Sequence, residues 1–231
     1  MKAQIIRKYH EFLSTTKARF NFIYGGADSG KSYAMSQFFI RKFFEEEENK
    51  VFLVIRTTLP ALKVTALKTI MDLIDEYNLP KMFHKSDMVL TFNRNEMYFK
   101  SLYTASGGIE RIKSFNVNYI WAEELTEFPL KGFRRLDMIL RRQTDTKNQL
   151  FGTFNPIDRL HWIKTEVIDK KGDKVACLPS TYRDNPFASQ DDIDELEDLK
   201  YEDENYYRVY ALGQWGIKKN IIYSNWDTKP L

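Results

Sequence analysis

Residues 20–32 read Phe20-Asn21-Phe22-Ile23-Tyr24-Gly25-Gly26-Ala27-Asp28-Ser29-Gly30-Lys31-Ser32. An apolar, aromatic run enters a glycine-rich loop that ends in Gly-Lys-Ser. From Gly25 to Ser32 the spacing is G-x-x-x-x-G-K-S, the full P-loop pattern. The motif demands a strand before the loop and a helix after it, and the flanking residues supply both patterns. Gly25 and Gly30 let the backbone turn closely around a phosphate. Successive N–H groups then point inward as an anion nest. The helix starting near Lys31 adds the positive end of its dipole. Lys31 is placed to reach the β- and γ-phosphates of ATP, and the Ser32 hydroxyl to ligate Mg²⁺. Gly25, Gly26, Ala27, Asp28, Ser29, Gly30, Lys31 and Ser32 are therefore the expected nucleotide-binding set.

The 231 residues suffice for one large domain, or one domain with a small appendage. Hydrophobic residues make up 43% and aromatics 15%, enough for a packed core and too many for a disordered chain. The formal charge of +3 does not by itself announce a nucleic-acid partner. The single cysteine, Cys177, excludes an intrachain disulfide. Its neighbours Val175, Ala176 and Leu178 predict a buried strand position and an inert thiol. No apolar run approaches 18 residues, so no membrane span is expected. Met1-Lys2-Ala3-Gln4 does not begin a secretory h-region, and the expected compartment is the cytosol.

Along the chain, Ile5, Ile6, Tyr9, Phe12 and Leu13 fall at helical spacing. Residues 20–24 are the first strand and 31–44 the helix after the loop. The run Glu45–Glu48 reads as its solvated end. Val51-Phe52-Leu53-Val54-Ile55 is a continuous apolar run, as expected of a strand buried on both faces. Arg56 follows at the strand's C-terminal end, where open parallel sheets bind ligands. A ligand contact and a surface ion pair are both open for it. The spacing predicts one helix over 61–77 and a hairpin over 87–103, with Asn93-Arg94-Asn95 at the turn. Val117 to Ala122 is a third parallel strand and Gln149 to Phe154 a fourth. Helix is predicted over about 124–141, interrupted near Pro129. Residues 159–169 read as helix, Val175–Thr181 as a fifth strand, and 190–212 as helix. Strands alternating with helices give an α/β doubly wound domain with a mainly parallel sheet and an added β-hairpin.

Phosphate binding alone does no chemistry. Hydrolysis needs a carboxylate on the Mg²⁺ side and a group that orients or deprotonates water. Glu123-Glu124 ends an apolar strand roughly 90 residues after the P-loop and fits both jobs. Adjacent residues at a strand end point in different directions. Glu123 is read as the metal-side acid, through water, and Glu124 as the residue facing the attacking water. The next strand ends in Thr153-Phe154-Asn155-Pro156, a polar tip able to sense a γ-phosphate, or an ordinary Asn-Pro turn.

Together these pieces resemble the large terminase subunit of tailed bacteriophages, the ATP-driven DNA-packaging motor. The matching stretches are Tyr24–Ser32, Ile120–Glu124, Thr153–Pro156, Ser180-Thr181-Tyr182-Arg183-Asp184-Asn185-Pro186-Phe187 and Tyr207-Arg208-Val209-Tyr210-Ala211-Leu212-Gly213-Gln214-Trp215-Gly216. The last two are more specific than the P-loop and point to the phage and prophage type. The resemblance implies a RecA-like ATPase of the additional-strand, catalytic-glutamate (ASCE) class. It implies Lys31 and Ser32 on phosphates and Mg²⁺, Glu123 as metal-side acid, Glu124 as catalytic residue, and Thr153 and Asn155 in the motif coupling hydrolysis to DNA movement. Many relatives place an arginine three residues before the Gly-Lys of the P-loop, but here that position is Ala27. An arginine finger must then come from elsewhere, with Arg111 the first candidate, acting in trans, and Arg56 the second. The family also carries a C-terminal RNase H-like nuclease that binds two metals. This chain stops near where that domain would begin. Asp191, Asp192 and Glu195 lie on an acidic helix and read as a solvated face. Residues 1–216 are thus expected to form the motor domain, and 217–231 the start of a linker to a nuclease absent from this chain.

The resemblance further implies double-stranded DNA, a small terminase subunit and a portal or procapsid as partners. It implies an active homo-oligomeric ring, no membrane, and the cytoplasm of an infected bacterium as the setting. DNA affinity would come from Lys and Arg contacts to phosphates, independent of sequence. The densest basic cluster is Lys131, Arg134, Arg135, Arg141 and Arg142, although a helix surface balanced by Asp137 would read the same way. A helicase or recombination ATPase would share the P-loop and glutamate without reason to carry Tyr182–Phe187 and Tyr207–Gly216. A small-molecule kinase would need a lid and acceptor pocket, and no Arg-rich lid sequence is present. A non-catalytic binding module leaves Glu124 without a purpose.

Overall fold

The computed structural model describes residues 4–45, 49–103, 115–143, 146–170 and 172–217. Strands β1 (Phe20–Gly25), β2 (Val51–Arg56), β3 (Met82–His84), β4 (Val89–Phe92), β5 (Asn95–Ser101), β6 (Tyr119–Glu123), β7 (Gln149–Phe154) and β8 (Val175–Ser180) form one sheet, ordered β3-β4-β5-β2-β6-β7-β1-β8. From β5 to β8 every neighbouring pair is parallel, while β3 and β4 extend the sheet by antiparallel pairing. The expected hairpin is therefore present, and β5 joins it to the parallel body alongside β2. Strand β7 is inserted between β1 and β6, as the additional-strand reading requires.

The strands are buried on both faces, and alternation sorts their side chains. Phe52, Val54, Tyr119, Trp121 and Phe151 pack on one face, under α1 (Arg7–Thr15), α2 (Lys31–Glu45), α3 (Leu59–Val64) and α4 (Ala66–Glu76). Val51, Leu53, Ile55, Ile120, Ala122 and Leu150 pack on the other, against α5 (Leu130–Ile139) and the π-type turn Ile163–Ile168. Among the described residues no helix is long and apolar enough to cross a membrane.

Several expectations need correction. The single helix over 61–77 is two helices broken at Thr65. The segment over 159–169 contributes only the π-type turn. The helix over 190–212 ends at Glu202, where Asp203 caps a new segment, α7 (Glu204–Tyr206), continuing as the π-type turn Tyr207–Ala211. The first piece, Gln190–Glu202, is α6 counted in chain order after α5. Cys177 is half-buried rather than buried, because β8 is an edge strand, and burial pushes its thiol up to about 11.

The last described residues are strapped across the sheet's C-terminal edge. Trp215 packs 5.6 Å from Tyr24 and 5.9 Å from Phe154, centroid to centroid. The Gly216 N–H donates to Pro156 O at 2.8 Å. Gly213 makes this path possible, with φ +62° and the space for a Cβ occupied by Ser180 O at 2.4 Å. Gly213→Ala meets both a forbidden conformation and a backbone clash. It should cost more than about 1 kcal/mol, read as a lower urea midpoint. An unchanged midpoint would contradict this packing.

Candidate active site

The loop after β1 is built by pinning its carbonyl oxygens. Asn155 Nδ2 donates to Gly25 O at 2.7 Å, and Lys31 Nζ to Gly26 O at 2.8 Å. Asn185 Nδ2 donates to Asp28 O at 2.7 Å, and the Tyr9 hydroxyl to Ser29 O at 2.5 Å. A peptide whose C=O is held outside the loop turns its N–H, or the next one, inward. The first peptides are engaged differently from the sequence expectation. Gly26 N–H donates to Ser180 O at 3.1 Å and Ala27 N–H to Tyr210 O at 2.8 Å. Gly26 must be glycine for that approach, since a Cβ would lie 2.2 Å from Tyr210 O. The nest for an anion thus starts at Asp28. It continues into the first turn of α2, where Ala34 N–H is already bonded to Gly30 O at 2.9 Å while Lys31, Ser32 and Tyr33 precede it. Gly30, at φ +77°, makes the turn into the helix.

Lys31 is only 8% exposed. Burial lowers its pKa, and the nearby charges of Glu124 and Asp28 oppose that. Its ammonium is stored against the loop carbonyl, beside the nest.

The two glutamates diverge as expected. Glu123 continues the alternation of Tyr119 and Trp121 and reaches the face of α3 and α4, only 3% exposed. Its Oε2 accepts from Thr65 Oγ1 at 2.6 Å and lies 3.9 Å from the Arg56 guanidinium. Burial raises its pKa; Thr65 and Arg56 oppose the rise. Glu124 is left-handed, at φ 50° and ψ 53°. That conformation costs a non-glycine residue on the order of 1 kcal/mol and is held here by buried Ala122 and Leu125 on either side. Burial also raises the Glu124 pKa, and Lys31 is the strongest opposing charge. Glu124, not Glu123, is therefore the carboxylate that shares a field with the P-loop lysine.

Arg56 makes an ion pair with Glu127. Its guanidinium is 2.9 Å from Glu127 Oε1 and 3.3 Å from Thr65 Oγ1. Burial works to raise the Glu127 carboxyl, but hydrogen bonds from Arg56 and Thr57 hold it below its ordinary value. Thr153 is buried, and its hydroxyl accepts from Trp121 Nε1 at 2.9 Å. Arg111 lies outside the described residues.

Of the basic cluster, Lys131 and Arg134 are exposed on α5 and Arg135 is half-buried. Arg141 donates to Asn116 Oδ1 at 2.8 Å and Arg142 to Asn49 O at 3.0 Å. Those partners precede β6 and β2, so these two arginines sit at the sheet edge opposite the P-loop. Asp137 pairs with Arg19 at 2.8 Å.

Sequence reasoning missed Tyr9 and Thr65, and assigned no role to Asn185 or Glu127. Tyr9 looked like one apolar position of a helix, and only its buried hydroxyl distinguishes it. Asn185 lies in a quoted motif, which was the available signal. Among the described residues no three His, Cys, Asp or Glu side chains form a metal cage. The oxygen donors available are the Ser32 hydroxyl at the helix start and the Glu123 and Glu124 carboxylates at and just after the end of β6. Hard oxygen donors in small number suit Mg²⁺ completed by phosphate and water.

A family model described as phage terminase large subunit matches residues 17–214. The chain belongs to the phage terminase large subunit family. It is 24% identical over 246 residues to the PBSX phage terminase large subunit of Bacillus subtilis strain 168, covering 96% of this chain and 55% of that protein. The chain thus spans about half the length of that curated relative. Its fold is similar to the large terminase of a thermophilic bacteriophage, at TM-score 0.79 and 20% identity, over 97% of this chain and 57% of that one. It is also similar to the ATPase domain of the Thermus phage P74-26 large terminase, at TM-score 0.62 and 11% identity, over 93% of this chain and 94% of that one.

Lys31→Ala removes both a phosphate-binding charge and the pin on Gly26 O. A charge-assisted hydrogen bond is worth about 1.5–3 kcal/mol. Affinity for a fluorescent ATP analogue should therefore fall at least about tenfold, with turnover lost. Unchanged affinity would remove the loop from nucleotide binding.

Proposed function

We propose that this chain is the ATP-hydrolysing motor domain of a viral DNA-packaging machine, coupling hydrolysis to translocation of double-stranded DNA into a procapsid. The observation that carries this reading is the pinned loop, with its free amides and Lys31 beside the left-handed Glu124. Solved complexes of the thermophilic-phage large terminase with ADP and with ATP-γ-S support nucleotide binding in this fold. Residues 1–216 are assigned to the motor and 217–231 to the start of a linker. The match to a structure comprising an ATPase domain alone supports that division. A C-terminal nuclease, a small terminase subunit, the portal and an active homo-oligomeric ring in the bacterial cytoplasm belong to the same reading. Another ASCE ATPase of helicase or recombination type is the alternative.

The residues divide the work by position. Amides from Asp28 to Ser32 receive the phosphates, and the Lys31 ammonium follows them. Mg²⁺, when bound, neutralises phosphate charge; Ser32 and Glu123 are the residues that would hold it. Glu124 orients the attacking water and takes its proton. Asn155 joins the end of β7 to Gly25, so a change at the phosphates reaches the strap at Pro156 and Gly216. That is a physical route for coupling. The exposed Lys131 and Arg134 remain candidates for DNA phosphates, whereas Arg141 and Arg142 are engaged by backbone and Asn partners.

Glu124→Gln keeps shape and loses the base, so nucleotide binding should survive while hydrolysis falls by about 10²–10⁴. Radiolabelled ATP turnover beside equilibrium binding measures this. An active Glu124→Gln with an inactive Glu123→Gln would reverse the two roles.

With alanine at position 27, the finger is assigned to Arg111 of a neighbouring subunit, worth about 10³–10⁵ in rate. Specific activity should rise with protein concentration. Mixing inactive Glu124→Gln with inactive Arg111→Ala should restore partial activity at interfaces pairing an intact Arg111 with an intact Glu124. Co-assembly without recovery would exclude Arg111 as the trans finger.

A further inference from the structure

The break between α3 and α4 contains neither proline nor glycine, and the apolar spacing runs through it: Leu62, Ala66, Leu67, Ile70, Leu73 and Ile74 are all buried. Something outside the helix must hold the chain open at Thr65. A helix start leaves N–H groups without partners, which a side chain at the cap position usually satisfies. The Thr65 side chain makes no such bond into α4. The Glu123 carboxylate, reaching in from β6, accepts the Thr65 hydroxyl at 2.6 Å and lies close to the Ala66 backbone N–H. A carboxylate at a helix N-terminus is favourable on its own account. The buried Glu123 therefore shapes the junction of α3 and α4.

The Thr65 hydroxyl has a second acceptor in place. It lies 2.6 Å from Glu123 Oε2 and 2.8 Å from Ala61 O. It carries one proton, so these two donations are alternatives. With either acceptor the Thr65 hydroxyl stays paired. Arg56, 3.3 Å from the hydroxyl and 3.9 Å from the carboxylate, stays beside both.

We propose that Thr65 is a positioning residue for Glu123, its hydroxyl holding that carboxylate at the junction of α3 and α4 in the orientation from which it meets the nucleotide's metal. This rests on the reading of Glu123 as the metal-side acid. Helix α4 packs on α2, whose first residue is Lys31. The state of Glu123 thereby reaches the helix that begins at the phosphates.

The test is Mn²⁺ binding followed by electron paramagnetic resonance on the ADP-bound protein, with ATPase turnover alongside. Partners of metal-binding side chains typically contribute 10–100-fold in metal affinity or activity. Thr65→Val should raise the Mn²⁺ concentration for half-saturation about tenfold, and Thr65→Ser should restore it. In a Glu123→Gln background, Thr65→Val should add nothing, because it acts only through that carboxylate. Should Thr65→Val lose its thermal transition, Thr65→Ala removes the hydroxyl without apolar bulk and gives the same readout. Wild-type affinity in the valine and alanine variants overturns the inference, as does failure of serine to rescue, or full additivity with Glu123→Gln. If Glu123→Gln itself leaves Mn²⁺ affinity unchanged, the metal-side reading of Glu123 fails instead.

Discussion

A peptide group beside a buried anion site must turn either its N–H or its C=O toward it, and a carbonyl facing phosphate would repel it. The loop from Gly25 to Ser32 settles this by holding its carbonyls outside. Asn155, Lys31, Asn185 and Tyr9 each donate to one of them. Those four donors come from the end of β7, the loop's own helix, the segment after β8, and α1. A net charge-assisted or neutral hydrogen bond contributes only about 0.5–3 kcal/mol. Their collective effect is directional: they preorganise a nest that an isolated glycine-rich peptide would not keep.

That arrangement depends on the parallel sheet. Strands β1, β2, β6, β7 and β8 all run the same way, so Gly25, Arg56, Glu123, Phe154 and Ser180 end on one edge. Inserting β7 between β1 and β6 places Asn155 next to the P-loop and Glu123-Glu124 one strand farther out. The same edge receives the closing strap, where Trp215 covers Tyr24 and Phe154. The P-loop backbone is thus bonded to the closing segment through Ala27 and Tyr210. The strap and the phosphate site share a hydrogen bond.

Continuous apolar runs and the Gly25–Ser32 spacing made the parallel strands and the phosphate loop legible in the sequence, because both are local patterns. The divergence of Glu123 and Glu124 was legible from strand alternation alone. Contacts to backbone carbonyls across the fold were not. The Tyr9 hydroxyl meets a residue 20 positions away and the Asn185 amide one 157 positions away, and neither leaves a periodic trace. The break at Thr65 was hidden for a related reason. The group that meets it there is a carboxylate on β6, while the local pattern on both sides remains helical. Arg56 was ambiguous because its partner Glu127 follows an irregular turn set by the left-handed Glu124.

The central claim is that the phosphate nest is held from outside, so that nucleotide, loop and closing segment form one mechanical unit. Amide hydrogen exchange with and without ADP tests it most directly. The account predicts slower exchange on binding in two separated stretches, Gly25–Ser32 and Tyr207–Gly216, since the second holds the first through the Ala27 N–H donated to Tyr210 O. Protection confined to Gly25–Ser32, with Tyr207–Gly216 unchanged, would contradict it.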